Sequence, residues 1–129
     1  HLALGSGEIV VAVVVPPQPA RARSAYRKAR VRAAIDFPLA GVAVRVTGDR
    51  ERIERLDVAL TGTNSRPFRL AETEAFAGRA VDDALVAELG KAVQRQAGPM
   101  RTSVTSSNWR RQVAATYAQR LVRELAATP

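Results

Sequence analysis

VAVRVTGDRERIERLDVAL, residues 42–60, contains two runs in which every second side chain is a large apolar one. This alternation is typical of strands buried on one face. The buried face is predicted to carry Val42, Val44, Val46, Leu56, Val58 and Leu60. The segment between the runs, 47–52, is polar and holds Gly48-Asp49, which favours a turn. The stretch therefore predicts an antiparallel hairpin.

Two further strands are predicted upstream of this hairpin. EIVVAVVV, residues 8–15, is rich in β-branched side chains and apolar on both faces, a pattern of strands covered on two sides, and Pro16-Pro17 ends it. Residues 24–32 alternate loosely, which is compatible with another strand. Residues 33–38 are ambiguous, because Asp36 can cap a short turn while Pro38 disfavours helix at the residue before it.

The apolar spacing changes to a helical period after Gly62. It predicts a short helix over 71–77 closed by Gly78, a second helix from Asp82-Asp83 to about Gln96, and a long third helix capped by Ser106 or Ser107. Apolar side chains recur every fourth residue in the third helix and are interpreted as its core face: Trp109, Val113, Tyr117, Leu121 and Leu125, with Ala114, Ala118 and Val122 beside them. The arginines of this helix are expected to lie mostly away from that face.

Strands followed by helices predict an α+β fold: a small antiparallel sheet of three to four strands with about three helices packed on one face. The 129 residues suit a single domain, 1–129. The longest uncharged apolar run covers only 9–17, whereas a membrane-spanning helix needs about 20 residues, so no span is predicted.

The amino-acid composition argues against several common classes of catalytic site. The chain has no cysteine and one histidine, His1, which argues against thiol nucleophiles, thiolate metal sites and Ser-His-Asp triads. Asp82-Asp83 can be a metal pair, but helix capping accounts for it. No catalytic residue and no metal ligand are predicted.

The net charge is +8, with 18 arginines and 2 lysines, and six cations fall within 21–32. Such a cluster can bind the phosphates of a nucleic acid, form a solvated strand face, or meet an acidic partner. Similarly, the loop 62–66 can hold an anion or simply connect the sheet to the helices. A basic nucleic-acid-binding module is kept as the alternative function, although no RNA-binding aromatic signature supports it.

The order of several short motifs adds what periodicity cannot. In chain order they are EIVV at 8–11 with Pro16, YRKARVR at 26–32, Asp36 with Pro38-Leu39, VAV at 42–44, VALTG at 58–62, Arg66-Pro67, Glu74 with Gly78, and NWRR at 108–111 with Tyr117 and LVR at 121–123. Together they resemble the C-terminal domain of the FAD-binding medium subunit of molybdenum hydroxylases, the xanthine and carbon monoxide dehydrogenase family. TGTNSRP at 61–67 and PMRT at 99–102 look most like the 4-hydroxybenzoyl-CoA reductase β-subunit branch.

This resemblance implies a domain like that of the CO dehydrogenase flavoprotein and a role in electron transfer between FAD and iron–sulfur clusters. The implied partners are a molybdopterin-binding large subunit and an iron–sulfur small subunit, in the cytoplasm. Two matched positions are implied to be cofactor-binding: Val10, where the family's strand passes the flavin, and Lys28, the lysine of the Tyr-x-Lys motif. Read without the resemblance, Lys28 is a solvated strand lysine. Arg30, Arg32 and Asp36 are read as fold and interface residues.

The chain also departs from the family's pattern. The glycine-rich FAD-binding loops are absent, as are cysteines for the extra cluster of the reductase branch. We therefore expect a fragment of a longer flavoprotein subunit, with FAD held mainly by the missing part. On its own, the domain is expected to be inactive and to bind FAD weakly or not at all.

Overall fold

The computed structural model describes residues 3–127 and shows a four-stranded antiparallel sheet with two α-helices on one side. In chain order the elements are β1 (Ala22–Ala29), β2 (Ala40–Gly48), β3 (Ile53–Thr61), β4 (Phe68–Arg69), one turn of 3-10 helix (Thr73–Phe76), α1 (Asp83–Gln96) and α2 (Ser107–Ala127). The strands lie side by side in sequence order, and each neighbouring pair is antiparallel. The predicted α+β fold is confirmed.

The hairpin β2–β3 forms as the alternation predicts. Val44 pairs with Val58, and all six predicted side chains of the inner face are buried. Gly48 has a φ of 109°, a backbone region that strains any residue with a Cβ. The Asp49 carboxylate accepts hydrogen bonds from the main-chain N–H groups of Glu51 and Arg52, which closes the turn.

The core lies between the sheet and α2. Helix α2 packs against β1, β2 and β3, and α1 packs against α2. The two helices approach closely at Gly90, where an added Cβ would collide with the side-chain amide of Gln119. That amide donates to the main-chain oxygen of Val86 at 3.0 Å, so it ties α2 to α1.

The helix predictions need one correction. The predicted helix over 71–77 is a single 3-10 turn, so residues 3–127 form two α-helices rather than three. The next helix is confirmed: Asp82 is its N-cap and accepts from the Leu85 N–H at 2.7 Å. The Ser106 hydroxyl accepts from the Trp109 N–H at 3.1 Å and caps α2.

The predicted strand over 8–15 is wrong for this structure. The segment joins no sheet, and its apolar side chains are exposed, for example Val11 and Val14 at 87%. A strand that is apolar on both faces needs a covering layer on each side. The two helices already cover one face of the β1–β4 sheet, and the described residues offer no second layer for this segment.

The predicted core face of α2 is confirmed at Leu121 and Leu125 and at the flanking Ala114, Ala118 and Val122, but not at Trp109. Trp109 is 41% exposed, whereas Ala114, Ala118 and Val122 are fully buried. A spacing of four residues exceeds the helical repeat of 3.6, so each step drifts by about 40° and five such residues cannot share one face. The buried face continues backwards from Ala114 to Arg110, which is buried and not on the outer surface.

Candidate cofactor-facing surface

The side of the sheet opposite the helices is left open by residues 3–127. The strand register places on this open face Ser24, Tyr26 and Lys28 of β1, Gly41, Ala43 and Arg45 of β2, and Asp57, Ala59 and Thr61 of β3. The inner face carries the buried valines and leucines. Ligands therefore have access to the sheet only from the open face.

Lys28 lies on this open face, near the end of the edge strand β1. Its half-buried side chain donates from Nζ to the main-chain oxygen of Asp36 at 2.9 Å. No carboxylate of residues 3–127 forms an ion pair with it. An ammonium group has three donors, so two stay available toward the open face.

Val10 lies elsewhere in the chain and is 66% exposed. Within residues 3–127, the run 9–15 makes no hydrogen bond to the sheet. The first hydrogen bond to the sheet after this run is at Gln18, whose side-chain oxygen accepts from Arg45 Nη1 at 2.7 Å. No hydrogen bond of the described residues therefore joins the segment of Val10 to Lys28.

Small side chains make a flat strip across the middle of the open face. Gly41, Ala43 and Ala59 lie in the rows next to Lys28 and Tyr26. A Cβ at Gly41 would meet the Tyr26 hydroxyl and the Thr61 methyl group, so the glycine lets the tyrosine lie across β2. The Tyr26 side chain and the Thr61 methyl group thus cover Gly41, and the part of the strip that stays partly exposed lies at Ala43 and Ala59.

A cluster of arginines around Asp57 borders the strip. The Asp57 carboxylate accepts from Arg45 at 2.6 Å, from Arg55 at 2.9 Å and from Arg69 at 2.6 Å. Partial burial alone would raise the pKa of Asp57, but the hydrogen bonds and positive charges of Arg55 and Arg45 outweigh burial and lower this pKa to about 2. The cluster is a fixed, charged boundary of the open face.

The cations of the basic segment 21–32 are mostly engaged within the domain. Arg21 pairs with Asp49 and Glu54, and Arg27 pairs with Glu124 on α2. Arg23 donates to the main-chain oxygen of Gly48. The segment therefore presents fewer free cations to a polyanion than its sequence suggests.

Arg110 is the residue that the sequence interpretation missed. Its Nε donates to the Leu39 oxygen at 2.7 Å and its Nη1 to the Met100 oxygen at 2.8 Å, while its Nη2 donates to the Gly62 oxygen. Only 7% of the residue is exposed. The signal was available: extending the buried alanines of α2 back by one helical turn reaches this position.

Residues 3–127 contain neither a membrane-spanning helix nor a cluster of metal ligands. Neither helix is long and apolar enough to cross a membrane. No three His, Asp or Glu side chains in this range lie together as metal ligands do. The open face thus combines a row of small side chains, one lysine and a fixed carboxylate–arginine cluster.

Comparison with known proteins gives this surface a family context. The family model of the CO dehydrogenase flavoprotein C-terminal domain matches residues 24–125. The glyceraldehyde dehydrogenase medium chain of Sulfolobus acidocaldarius is 31% identical over 121 residues, which are 93% of this chain. The chain spans 42% of the length of that relative.

Solved structures share the fold. One is reconstituted CO dehydrogenase from Oligotropha carboxidovorans, with a TM-score of 0.79 and 22% identity over 87% of this chain and 39% of that chain. Another is the CO dehydrogenase from Hydrogenophaga pseudoflava that lacks the Mo-pyranopterin moiety, with a TM-score of 0.78 and 23% identity over 88% and 39%. The quinoline 2-oxidoreductase from Pseudomonas putida 86 has a TM-score of 0.74 and 18% identity over 84% and 38%.

Proposed function

The chain belongs to the CO dehydrogenase flavoprotein C-terminal domain family, and from this we propose that it is the C-terminal domain of a flavoprotein subunit in a molybdenum hydroxylase complex. In this proposal the subunit passes electrons between FAD and iron–sulfur clusters, with a molybdopterin-binding large subunit and an iron–sulfur small subunit as partners, in the cytoplasm. The match over residues 24–125 carries the proposal. The placement of Lys28 on an open sheet face supports it.

The residues present fit the edge of a flavin site rather than a whole one. Ala43 and Ala59 leave a small flat area beside Tyr26, and Lys28 offers donors in the next outward-facing position of β1. Nothing in residues 3–127 is a glycine-rich loop leading into a helix N-terminus, the usual way to hold a pyrophosphate. We therefore propose that most FAD contacts come from chain outside this domain.

The exposed run 9–15 supports the proposal that other parts of the subunit contact this domain and hold most of the FAD. Six of its side chains are 66% or more exposed: Ile9, Val10, Val11, Val13, Val14 and Val15. Apolar surface of this extent is typical of a segment that another domain or subunit covers. We propose that the FAD-binding part of the subunit covers it, and that this contact brings Val10 to the flavin.

The proposed role of Lys28 is electrostatic. A bound flavin supplies reversible electron transfer, and a nearby cation favours whichever state of the ring carries more negative charge. The hydrogen bond to the Asp36 oxygen orients Nζ without neutralising its charge. Lys28 thus keeps its positive charge available to the cofactor.

The test uses the full-length flavoprotein subunit with its FAD. Lys28→Gln should lower the flavin midpoint potential on the order of tens of millivolts, because one positive charge is lost beside the ring. Lys91→Gln is the matched control, since Lys91 is an exposed lysine on α1. Equal potentials in both variants would refute the role of Lys28, whereas a full-length subunit that never contains FAD would refute the proposed function.

A second measurement concerns the 129-residue chain itself. Titration with FAD should show no binding at micromolar concentration and no oxidoreductase activity. Saturable micromolar binding would contradict the proposal that FAD is held mainly by chain outside the domain.

The substrate of the complex is not decided by this domain. The sequence predicts the 4-hydroxybenzoyl-CoA reductase branch, and one relative is a glyceraldehyde dehydrogenase medium chain. The reductase assignment stays a prediction, and assays of the assembled complex with an aromatic acyl-CoA and with an aldehyde separate the two possibilities.

A further inference from the structure

Three loops meet at one end of the sheet, where β1 ends, β2 begins and β3 ends. They cover residues 30–39, 62–67 and 98–106, and together we name them the loop end. The buried guanidinium of Arg110 donates to one main-chain oxygen in each loop: Leu39, Gly62 and Met100. The three loops are thereby fixed relative to one another.

The first of these loops is also braced internally. The Asp36 carboxylate accepts from the main-chain N–H groups of Val31 at 3.0 Å and Arg32 at 2.9 Å. The Leu39 N–H donates to the Ala29 oxygen at 2.8 Å and closes the base of the loop. Its tip is therefore an ordered structure that holds its side chains in place.

The loop end displays apolar side chains to solvent. They are Ile35 at 96% exposure, Phe37 at 89%, Met100 at 81%, Val31 at 64%, Val104 at 59% and Trp109 at 41%, the last at the start of α2. Loops usually expose polar residues, and a concentration of large apolar side chains on braced loops marks an interaction site. Phenylalanine, methionine and tryptophan are also enriched in protein–protein interfaces.

The exposed charged side chains around this apolar group are positive. Arg30, Arg66 and Arg101 form no ion pair with any of residues 3–127. Arg32 is 72% exposed and stands 3.7 Å from Asp36. Asp36 is the one carboxylate of the three loops, and its side chain is 15% exposed because it faces the loop's own N–H groups. An apolar centre with a basic rim requires a partner that is apolar in the middle and acidic at the edge.

We propose that the loop end is a docking surface for a second protein subunit, which contacts it through an apolar patch bordered by aspartate and glutamate. This inference rests on the proposed function, because it places that partner within the same complex. A nucleic acid would use the arginines but leave the six apolar side chains without matching surface. A protein interface accounts for both features together.

The experiment measures assembly of the full-length flavoprotein subunit with its two partner subunits. Phe37→Asp should weaken binding of one partner by roughly tenfold or more, because a charge enters the apolar centre of the interface. Phe37→Leu keeps an apolar side chain and should change the Kd by less than about threefold. Both substitutions are at an exposed position, so flavin content and thermal stability should match those of the unmodified subunit.

A charge-reversal pair tests the rim. Arg101→Glu should weaken binding mainly through a slower association rate, and the difference from the unmodified subunit should shrink at high salt. Arg50→Glu is the matched control, since Arg50 is exposed in the β2–β3 turn at the opposite end of the sheet. Equal effects of the two reversals would overturn the proposal.

Three further outcomes would count against the docking surface or against the proposed function. Assembly that is unchanged in Phe37→Asp while FAD is retained would overturn the docking surface and leave the proposed function intact. Binding of the loop end to duplex DNA or to phosphatidylglycerol vesicles, abolished by Phe37→Asp while subunit assembly persists, would overturn it as well. An unmodified full-length subunit that lacks FAD would instead count against the proposed function.

Discussion

Replacing Arg110 with alanine should be among the most destabilising single changes in this chain. The side chain is buried, and its three hydrogen bonds reach three separate loops. No carboxylate of residues 3–127 pairs with it, so carbonyl dipoles alone compensate its charge. Removing the guanidinium leaves three main-chain oxygens without a donor in a partly buried setting.

The magnitude follows from counting those bonds. A hydrogen bond to a charged group contributes about 1.5 kcal/mol net, so three contribute about 4.5 kcal/mol. Arg111 provides a matched control, because it is the next residue of the same helix and donates to one carbonyl, that of Ala97. Arginine and alanine differ in helix propensity by the same amount at both positions, so propensity cancels in the comparison. Arg111→Ala should therefore cost about 1.5 kcal/mol and Arg110→Ala about 3 kcal/mol more.

Urea unfolding of the 129-residue chain measures both variants. The expected result is a lower midpoint for Arg110→Ala at an unchanged slope, which reports a loss of stability without a change in exposed area. Arg110→Lys should fall between the two, since an ammonium keeps the charge but lacks the planar fork. Free energies of unfolding for Arg110→Ala and Arg111→Ala that agree within about 0.5 kcal/mol would refute the reasoning.

Two other predictions concern carboxylates. Because the folded-state pKa of Asp57 is about 2, against an ordinary value of 3.8, its contribution to stability, about 2 kcal/mol, is present above about pH 4 and lost as the pH falls toward 2. Asp57→Asn should flatten the stability–pH profile there, and an unchanged profile would contradict this. Asp82→Ala removes the N-cap of α1 and should cost about 1 kcal/mol. Asp83→Ala removes only an exposed ion pair with Arg123 and should cost less than about 0.5 kcal/mol in the same urea assay.

The hairpin was predictable because its information is local. Strict alternation over 42–46 and 56–60 fixes which side chains face the core, and a shift of one residue would expose all of them. The structure confirms this register, with Val42 opposite Leu60 and Val46 opposite Leu56. The cap of α1 was predictable for the same reason, since Asp82 acts on an N–H only three residues away.

The run 8–15 was predicted wrongly because its pattern depends on surroundings that the sequence does not specify. β-branched side chains favour an extended backbone, but a strand forms only where a neighbouring strand completes its hydrogen bonds. Residues 3–127 supply no such neighbour for this run, and its side chains stay exposed. The β-branched side chains therefore indicated an extended backbone correctly, but the prediction of a strand also required a neighbouring strand, which the sequence does not show.

Arg110 and the cluster around Asp57 were missed because both depend on contacts between distant parts of the chain. The three oxygens bound by Arg110 belong to residues 10, 48 and 71 positions away. Asp57 meets Arg45 only once the hairpin register is set. The sequence analysis placed the arginines of α2 mostly away from the core, and the packing of three loops against α2 decided otherwise for Arg110.

The two kinds of cation are used differently in this domain. Arginine stands where several acceptors must be held at fixed positions: Arg110 joins three loops, and Arg45 and Arg55 each bind the Asp57 carboxylate through two nitrogens. Lysine is a compact point charge with freely rotating donors. Lys28 is one of only two lysines in the chain. Its Nζ donates one hydrogen bond to the Asp36 oxygen, and its other two N–H groups have no partner among residues 3–127. The choice of lysine here therefore fits a residue whose charge acts on something outside this chain's own fold.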